Sequence, residues 1–339
     1  MERIGGNGLA GDLDCDGAAG LGLMQRYAKS DTKMITIIGA VHVDQTMLVV
    51  GQTNLGRTNP ARIMHTPGGV AANIARAFAA FNIAENPLPV AFVGAAAIGD
   101  DRPARMLDLA EINGPPIQPY FARLDGSPPR YTAMLDCDGE LIIGAADMAL
   151  YERVTPADIL SLLEPLLSRS VAVVIDANFP QDTICAIAAA LPSDTILIAA
   201  GTSPQKVERL HAILPRLDAL VLNRAEAIRL SAASKDASDH HKLTALAQNL
   251  LSRLGNGHVL VSDGGKVAVL AHDQGTVTQM PPKIDMVNAN GAGDAMAAAF
   301  VQLLLSGPKT DEAGLRMLLS GALEAGARFA ATQATNANI

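Results

Sequence analysis

From Met34 onward, short apolar runs and helix-forming stretches take turns along the chain, and this rhythm restricts the fold more than any other feature of the 339 residues. MITIIGAV (34–41) is almost wholly apolar. It reads as a strand buried on both faces, because a strand covered on one side alternates apolar with polar residues. GGVAANIARAFAAFN (68–82) then sets Ile74, Ala77, Phe78 and Phe81 three and four apart, the spacing of one helix face. PVAFVGAAAIG (89–99) is a second buried strand, and residues 100–113 read as a helix. VAVVIDAN (171–178) and TILIAAG (195–201) flank a helical segment over 180–191, and LDALVLN (217–223) runs into the helix RAEAIRLS (224–231). A helix over 241–254 precedes the strand HVLVSD (258–263); KVAVLAH and GTVTQM follow as a hairpin, and helices over 291–305 and 311–331 come last. Alternation of this kind predicts an α/β fold, a central and mostly parallel sheet flanked by helices.

Two segments break the rhythm. Residues 45–66 are β-prone on either side of the turn-rich GQTNLGRTNP, and residues 117–145 hold two strands around DCDG (136–139). Both predict insertions that form a small separate sheet, and the junction of core and insert favours a ligand pocket. Residues 34–335 therefore read as one domain. Residues 1–33 are rich in Gly and Asp, with neither a cationic start nor an apolar stretch, and read as a poorly ordered extension rather than a secretory signal.

Composition narrows the partners. A hydrophobic content of 49% can bury a large core, while a net charge of -8 disfavours duplex nucleic acid and anionic membrane. The richest apolar stretch, Ala295 to Leu305, is shorter than a membrane span and is broken by Gln302. Cys15, Cys137 and Cys185 lie far apart with no CxxC pair, which fits a reducing compartment. The expectation is a cytoplasmic protein with a small-molecule partner and neither nucleic acid nor membrane. Seven histidines show no metal-ligand spacing; His240-His241, near Asp236 and Asp239, reads as a solvated loop, and no structural zinc is expected. The sequence has neither a GxxxxGK[ST] phosphate loop nor a GxSxG nucleophile turn.

Three motifs carry the chemistry. In NANGAGDAMAAAFVQLL (288–304), Gly291, Ala292 and Gly293 form a turn of small residues ahead of an apolar helix, with Asp294 in its first turn. Backbone N–H groups at such a turn can point at an anion, and the helix N-terminus adds partial positive charge. A carboxylate there repels an anion unless it has a task, and accepting a proton from an attacking hydroxyl is one that fits. Alone, Asp294 is equally well an ordinary helix-start residue. In TPGGVAANIARAF (66–78), Gly68 and Gly69 let backbone approach a ligand, and Asn73 in the next turn can offer an amide; alone, it also fits a packing face. In NRAE (223–226), at the carboxyl end of a predicted strand, Asn223 and Glu226 either form a capping box or hold hydrated Mg2+ beside phosphates.

In this order and spacing, the three motifs resemble the PfkB family of carbohydrate and nucleoside kinases, from about residue 34 to the C-terminus. The resemblance implies a ribokinase-like fold with the two insertions as a small β lid, ATP and Mg2+ as cofactors with room for a monovalent cation (K+), and a homodimer through the lid. It implies Asp294 as the base that activates the substrate hydroxyl, Gly291, Ala292 and Gly293 as the anion hole, and Asn223 and Glu226 as the magnesium and phosphate motif. Asp44 would bind sugar hydroxyls, with Gly68, Gly69 and Asn73 as the substrate-side signature. Ser262 and Gly264 in the turn SDGGKVAV, Asn290, and Asn336 in the C-terminal TQATNANI would lie on the nucleotide side.

Within the family, TNPARIMHTPGGVAANIA (58–75), YTAMLDCDGELIIGAADM (131–148) and the Ser203 to Lys206 spacing resemble pseudouridine kinases most closely. This implies Asn59, Thr132 and Lys206 as nucleoside contacts, although Lys206 alone reads as a solvated helix residue. The chain departs from the pattern at Asn290 (usually Thr), Ala72 (Arg), Ala146 (Asn), Val267 (Gly) and in AAGTS (199–203), which lacks an Asp-Pro. The resulting expectation is ATP-dependent phosphorylation of the 5′-hydroxyl of a ribofuranosyl substrate, pseudouridine to pseudouridine 5′-phosphate. A ribokinase or another nucleoside kinase is the alternative in the same class. A non-catalytic sugar- or nucleotide-binding regulator is the alternative in another, and intact Asp294, Gly291 and Gly293 speak against it.

Overall fold

The computed structural model describes residues 32–81, 88–108, 116–231, 240–255, 257–285, 290–307 and 310–332. The predicted extension up to residue 31, and Asn336, lie outside them. Strands β1 (Met34–Ile38), β4 (Val90–Ala97), β5 (Ile117–Leu124), β8 (Ser170–Asp176), β9 (Ile196–Ala200), β10 (Ala219–Asn223), β11 (His258–Ser262), β12 (Ala268–His272) and β13 (Gly275–Gln279) make one sheet. Its spatial order is β13-β12-β11-β10-β9-β8-β1-β4-β5, parallel from β5 to β11 and antiparallel for the β12–β13 hairpin edge. β1 and β4 are buried at every position, as their unbroken apolar runs require.

Alternation along each strand divides the core in two. Ile35 and Ile37 of β1 belong to the layer of the core covered by α1 (Val70–Phe81), α7 (Ala292–Leu305) and α8 (Glu312–Thr332), while Met34 and Ile38 belong to the layer covered by α3 (Pro156–Leu163), α4 (Gln181–Ala190), α5 (Arg224–Leu230) and α6 (His240–Leu251). A short α2 (Arg102–Asp108) follows β4. Thr36, polar in the middle of β1, is accommodated by a 2.6 Å hydrogen bond with Ser170 of β8. The sequence reading passed over α3, although its signal was present: Thr155 caps the helix, Pro156 begins it and Asp158 completes a capping box. His240 begins α6, so the chain is already helical where a loop was expected. No helix among the described residues is long and apolar enough to cross a membrane.

A second sheet, β3-β2-β6-β7, is built from β2 (His42–Val49), β3 (Ala61–Gly68), β6 (Arg130–Leu135) and β7 (Leu141–Asp147). β2 and β6 pair in parallel and each carries an antiparallel partner. The expected insertions over 45–66 and 117–145 thus need correcting. The sheet begins at His42 and ends at Asp147, and Ile117–Leu124 pairs with β4 as the edge of the large sheet instead.

Candidate active site

The large sheet reverses direction of growth at β1. The chain moves from β1 out to β4 and β5, then returns to place β8 on the other side. Such a switch opens a crevice at the carboxyl ends of the two strands. Asp176, the last residue of β8, fills its base and is fully buried. Its Oδ2 accepts from Ala40 N (3.0 Å), Ala71 N (3.1 Å) and Asn178 Nδ2 (2.9 Å), and its Oδ1 from Asn178 N (2.9 Å). One carboxylate thus joins the end of β1, the start of α1 and the end of β8. The sequence reading missed it because nothing in VAVVIDAN separates this Asp from a solvated strand-end residue.

The start of α1 is pressed onto the end of β1. Gly69 sits at φ 100°, and a Cβ there would lie 2.3 Å from the Ala40 carbonyl oxygen, so only glycine serves. Asn73 consequently projects toward α7. There Gly291 takes a left-handed conformation (φ 81°) as N-cap, and Asp294 falls in the first helical turn. Asn73 Nδ2 donates to Asp294 Oδ2 at 2.7 Å. Burial pushes the Asp294 carboxyl up to about 7; Asp176 and Glu226 add to the rise, while the Asn73 hydrogen bond and Arg76 oppose it. Gly293 is exposed, and a Cβ on it would touch nothing, so its backbone is open to an approaching group.

Two further carboxylates have glycine beneath them. A Cβ on Gly68 would meet the Asp44 carboxyl at 2.4 Å, and a Cβ on Gly201 would meet Glu226 Oε2 at 2.1 Å. His42 Nε2 lies 3.2 Å from Asp44 Oδ1 without hydrogen-bond geometry, and that buried oxygen takes no hydrogen bond. An orphan acceptor of this kind suits a hydroxyl brought by a ligand. Glu226 is buried at the start of α5. The capping box is real: Glu226 N donates to Asn223 Oδ1 at 3.0 Å and Asn223 N donates to Glu226 Oε2 at 2.9 Å. Burial raises the Glu226 carboxyl above the ordinary range. Asn223 and Ser262 end neighbouring strands in register, and Gly264 turns the chain just beyond them at φ 58°. Asn290 is exposed immediately ahead of Gly291.

The three nucleoside contacts implied by resemblance fare differently. Lys206 is not solvated: its Nζ donates to Asn178 Oδ1 at 2.8 Å and lies 3.9 Å from Glu152, which links it to Asp176 through Asn178. Burial lowers its pKa. Asn59 spends its amide on its own loop, accepting from Asn54 N and donating to Asn54 O and Arg57 O. Thr132 stands in register with Gln45, His65 and Ala145, whereas Asp44 stands with Thr66, Tyr131 and Ala146. Adjacent rows point to opposite faces, so Thr132 is turned away from the Asp44 side of the small sheet. The sequence reading also passed over Arg76, whose Nη1 donates to Asn73 Oδ1 at 3.3 Å.

Residues 32–338 match the pfkB family carbohydrate kinases. The pseudouridine kinase of Escherichia coli (strain K12) is 26% identical over 276 residues, 80% of this chain and 84% of that protein. A carbohydrate kinase from Agrobacterium tumefaciens superposes with a TM-score of 0.73 at 28% identity, covering 90% of this chain and 92% of the other. Phosphofructokinase-2 from Escherichia coli in complex with potassium superposes with a TM-score of 0.70 at 17% identity, covering 90% and 94%. With that match spanning nearly the whole chain, and kinases among both its sequence and structural relatives, the protein belongs to the PfkB family of carbohydrate kinases, phosphotransferases that act on hydroxyl groups.

Proposed function

We propose that this kinase transfers the γ-phosphoryl group of ATP to the primary (5′) hydroxyl of a ribofuranosyl compound, with pseudouridine the acceptor to test first. The observation that carries the reading is the 2.7 Å contact between Asn73 and Asp294. It joins α1 to a carboxyl in the first turn of α7 that burial pushes up to about 7. The leading N–H groups of that helix have no intrahelical partner and can offset charge on phosphoryl oxygens. An acceptor hydroxyl held between Asp44 and Asp294 gives its proton to Asp294 as its oxygen attacks phosphorus. The new O–P bond forms while the bond to the bridging oxygen breaks, and ADP leaves with those electrons. The small sheet is the lid that excludes competing water. The likeness to the pseudouridine kinase supports the acceptor class.

The donor set fits Mg2+. Glu226 offers a carboxylate with one oxygen engaged by Asn223 N, and a single carboxylate suits an ion that keeps most of its waters. Glu226 and Asn223 would hold it, and the ion supplies charge compensation to the nucleotide phosphates. The potassium in the phosphofructokinase-2 structure supports a monovalent-cation site as well. Two copies are proposed to pair through the small sheet. Ile63, Met47, Met134 and Ile143 form one apolar row across its four strands, on the face away from Asp44, with Ile63 57% and Ile143 61% exposed.

The test is monophosphate formation, read by mass, from magnesium-ATP and pseudouridine, uridine, adenosine, guanosine, inosine, cytidine or ribose. Product with pseudouridine well above the others is expected. Product from another member overturns the acceptor but keeps the reaction. No product from any, with tight binding of one, would make the chain a binding protein on a kinase fold.

A further inference from the structure

Arg76 lies on α1 one turn beyond Asn73, half-buried, and no motif accounts for it. Its Nη1 donates to Asn73 Oδ1 at 3.3 Å, and Asn73 in turn donates through Nδ2 to Asp294 Oδ2 at 2.7 Å. A side-chain amide presents a carbonyl on one side and an NH2 on the other, and a guanidinium can only donate. Arg76 therefore admits one orientation of the Asn73 amide, with its carbonyl toward the guanidinium and its NH2 toward Asp294. Asp294 imposes that orientation only while it is ionised, because a protonated carboxyl both donates and accepts and would tolerate either.

Charge points the same way. Asp176 on β8 and Glu226 on α5 both push a proton onto Asp294, and Arg76 on α1 acts against them. Burial lowers the pKa of the Arg76 guanidinium, while Asp294 and Asp44 on β2 favour its charged form. We propose that Arg76 is a positioning residue for the base: it locks the Asn73 amide with its NH2 toward Asp294 and supplies the positive charge that keeps that carboxylate able to accept a proton. The inference rests on Asp294 being the base.

The test is a pH titration of the full-length protein by carboxyl 13C NMR, with the Asp294 signal assigned by its loss in Asp294→Asn. Arg76→Met is expected to move the Asp294 midpoint upward, while Arg76→Lys, which keeps the charge, leaves it near the wild-type value. With magnesium-ATP and the best acceptor of the panel, Arg76→Met is expected to lower kcat about ten- to a hundredfold with less change in acceptor KM, the size of loss a misplaced catalytic group produces. The acid limb of its kcat profile should move with the NMR midpoint. An unmoved midpoint overturns the inference. If Arg76→Met does not fold, as judged by circular dichroism, Arg76→Gln removes the charge while keeping donors, and the same upward move is required. An inactive Asp294→Asn together with an unchanged Arg76→Met sinks only the role of Arg76. An Asp294→Asn that turns over normally sinks the base itself.

Discussion

Replacing Asp294 with Asn should slow the reaction severely and stabilise the protein, and the stabilisation should grow with pH. Burial lifts this carboxyl to about 7, helped by repulsion from Asp176 and Glu226. In the unfolded chain the same group titrates near 4. Between those two values the folded protein holds a proton that the unfolded chain has released. Stability from this group is therefore complete below about pH 4 and is lost as pH rises toward 7. Asn carries no such penalty, and its carbonyl still accepts from Asn73. Of the interval from pH 5 to 8.5, the two units below 7 contribute, so the gap between variant and wild type should widen by at most about 3 kcal/mol. Asp294 as a residue is only half-buried, and solvent screening trims that figure. Urea unfolding at both pH values, followed by circular dichroism, reads the gap directly. An equal gap at pH 5 and 8.5 would refute the buried-base reasoning. In the same variant, kcat should fall about a hundred- to ten-thousandfold, the usual contribution of a general base.

Other perturbations separate roles that coincide in one residue. Glu226→Gln keeps an oxygen to accept from Asn223 N, so the cap should survive within about 1 kcal/mol by urea unfolding. The Mg2+ concentration for half-maximal rate should rise about ten- to a hundredfold, and an unchanged Mg2+ response would remove Glu226 from the metal site. Thr132→Ala should leave acceptor KM within about twofold, because the side chain stands on the far face of the small sheet; a large rise in KM would show that this face reaches an acceptor. Ile143→Lys places a charge in the exposed apolar row and should yield monomers by sedimentation equilibrium. A variant that stays dimeric, or a wild type that is already monomeric, would exclude pairing through this row.

Much of the fold was legible because the main-sheet strands are buried on both faces and announce themselves as unbroken apolar runs. MITIIGAV and PVAFVGAAAIG became β1 and β4, side by side in the sheet. β5 was harder: IQPYFARL carries polar residues because it lies at the sheet edge, with only its first and sixth positions buried, and it passed for part of an insertion. The motifs singled out Asp294, Asn73, Asp44 and Glu226. Their mutual arrangement depended on groups without a motif. Asp176 looks like any strand-end carboxylate until three chain segments are seen to converge on it. Arg76 looks like a helix-surface cation until α1 turns that face toward α7. Thr132 lies off the Asp44 side for a reason of parity: one residue along a strand changes the face.

The parallel seam between β2 and β6 has a consequence for how the chain acquires this structure. Each side of the seam is a local hairpin, β2–β3 and β6–β7, and can form early. The seam joins strands separated by α1, β4, α2 and β5, so it closes a long loop whose entropy falls only once those elements are docked. The small sheet should therefore be completed late in refolding, as the last act of a chain whose crevice at the ends of β1 and β8 is already laid down. Pulse-labelled amide exchange is expected to protect the β1–β4 and β4–β5 seams before the β2–β6 seam, and simultaneous protection would show that the two sheets condense together.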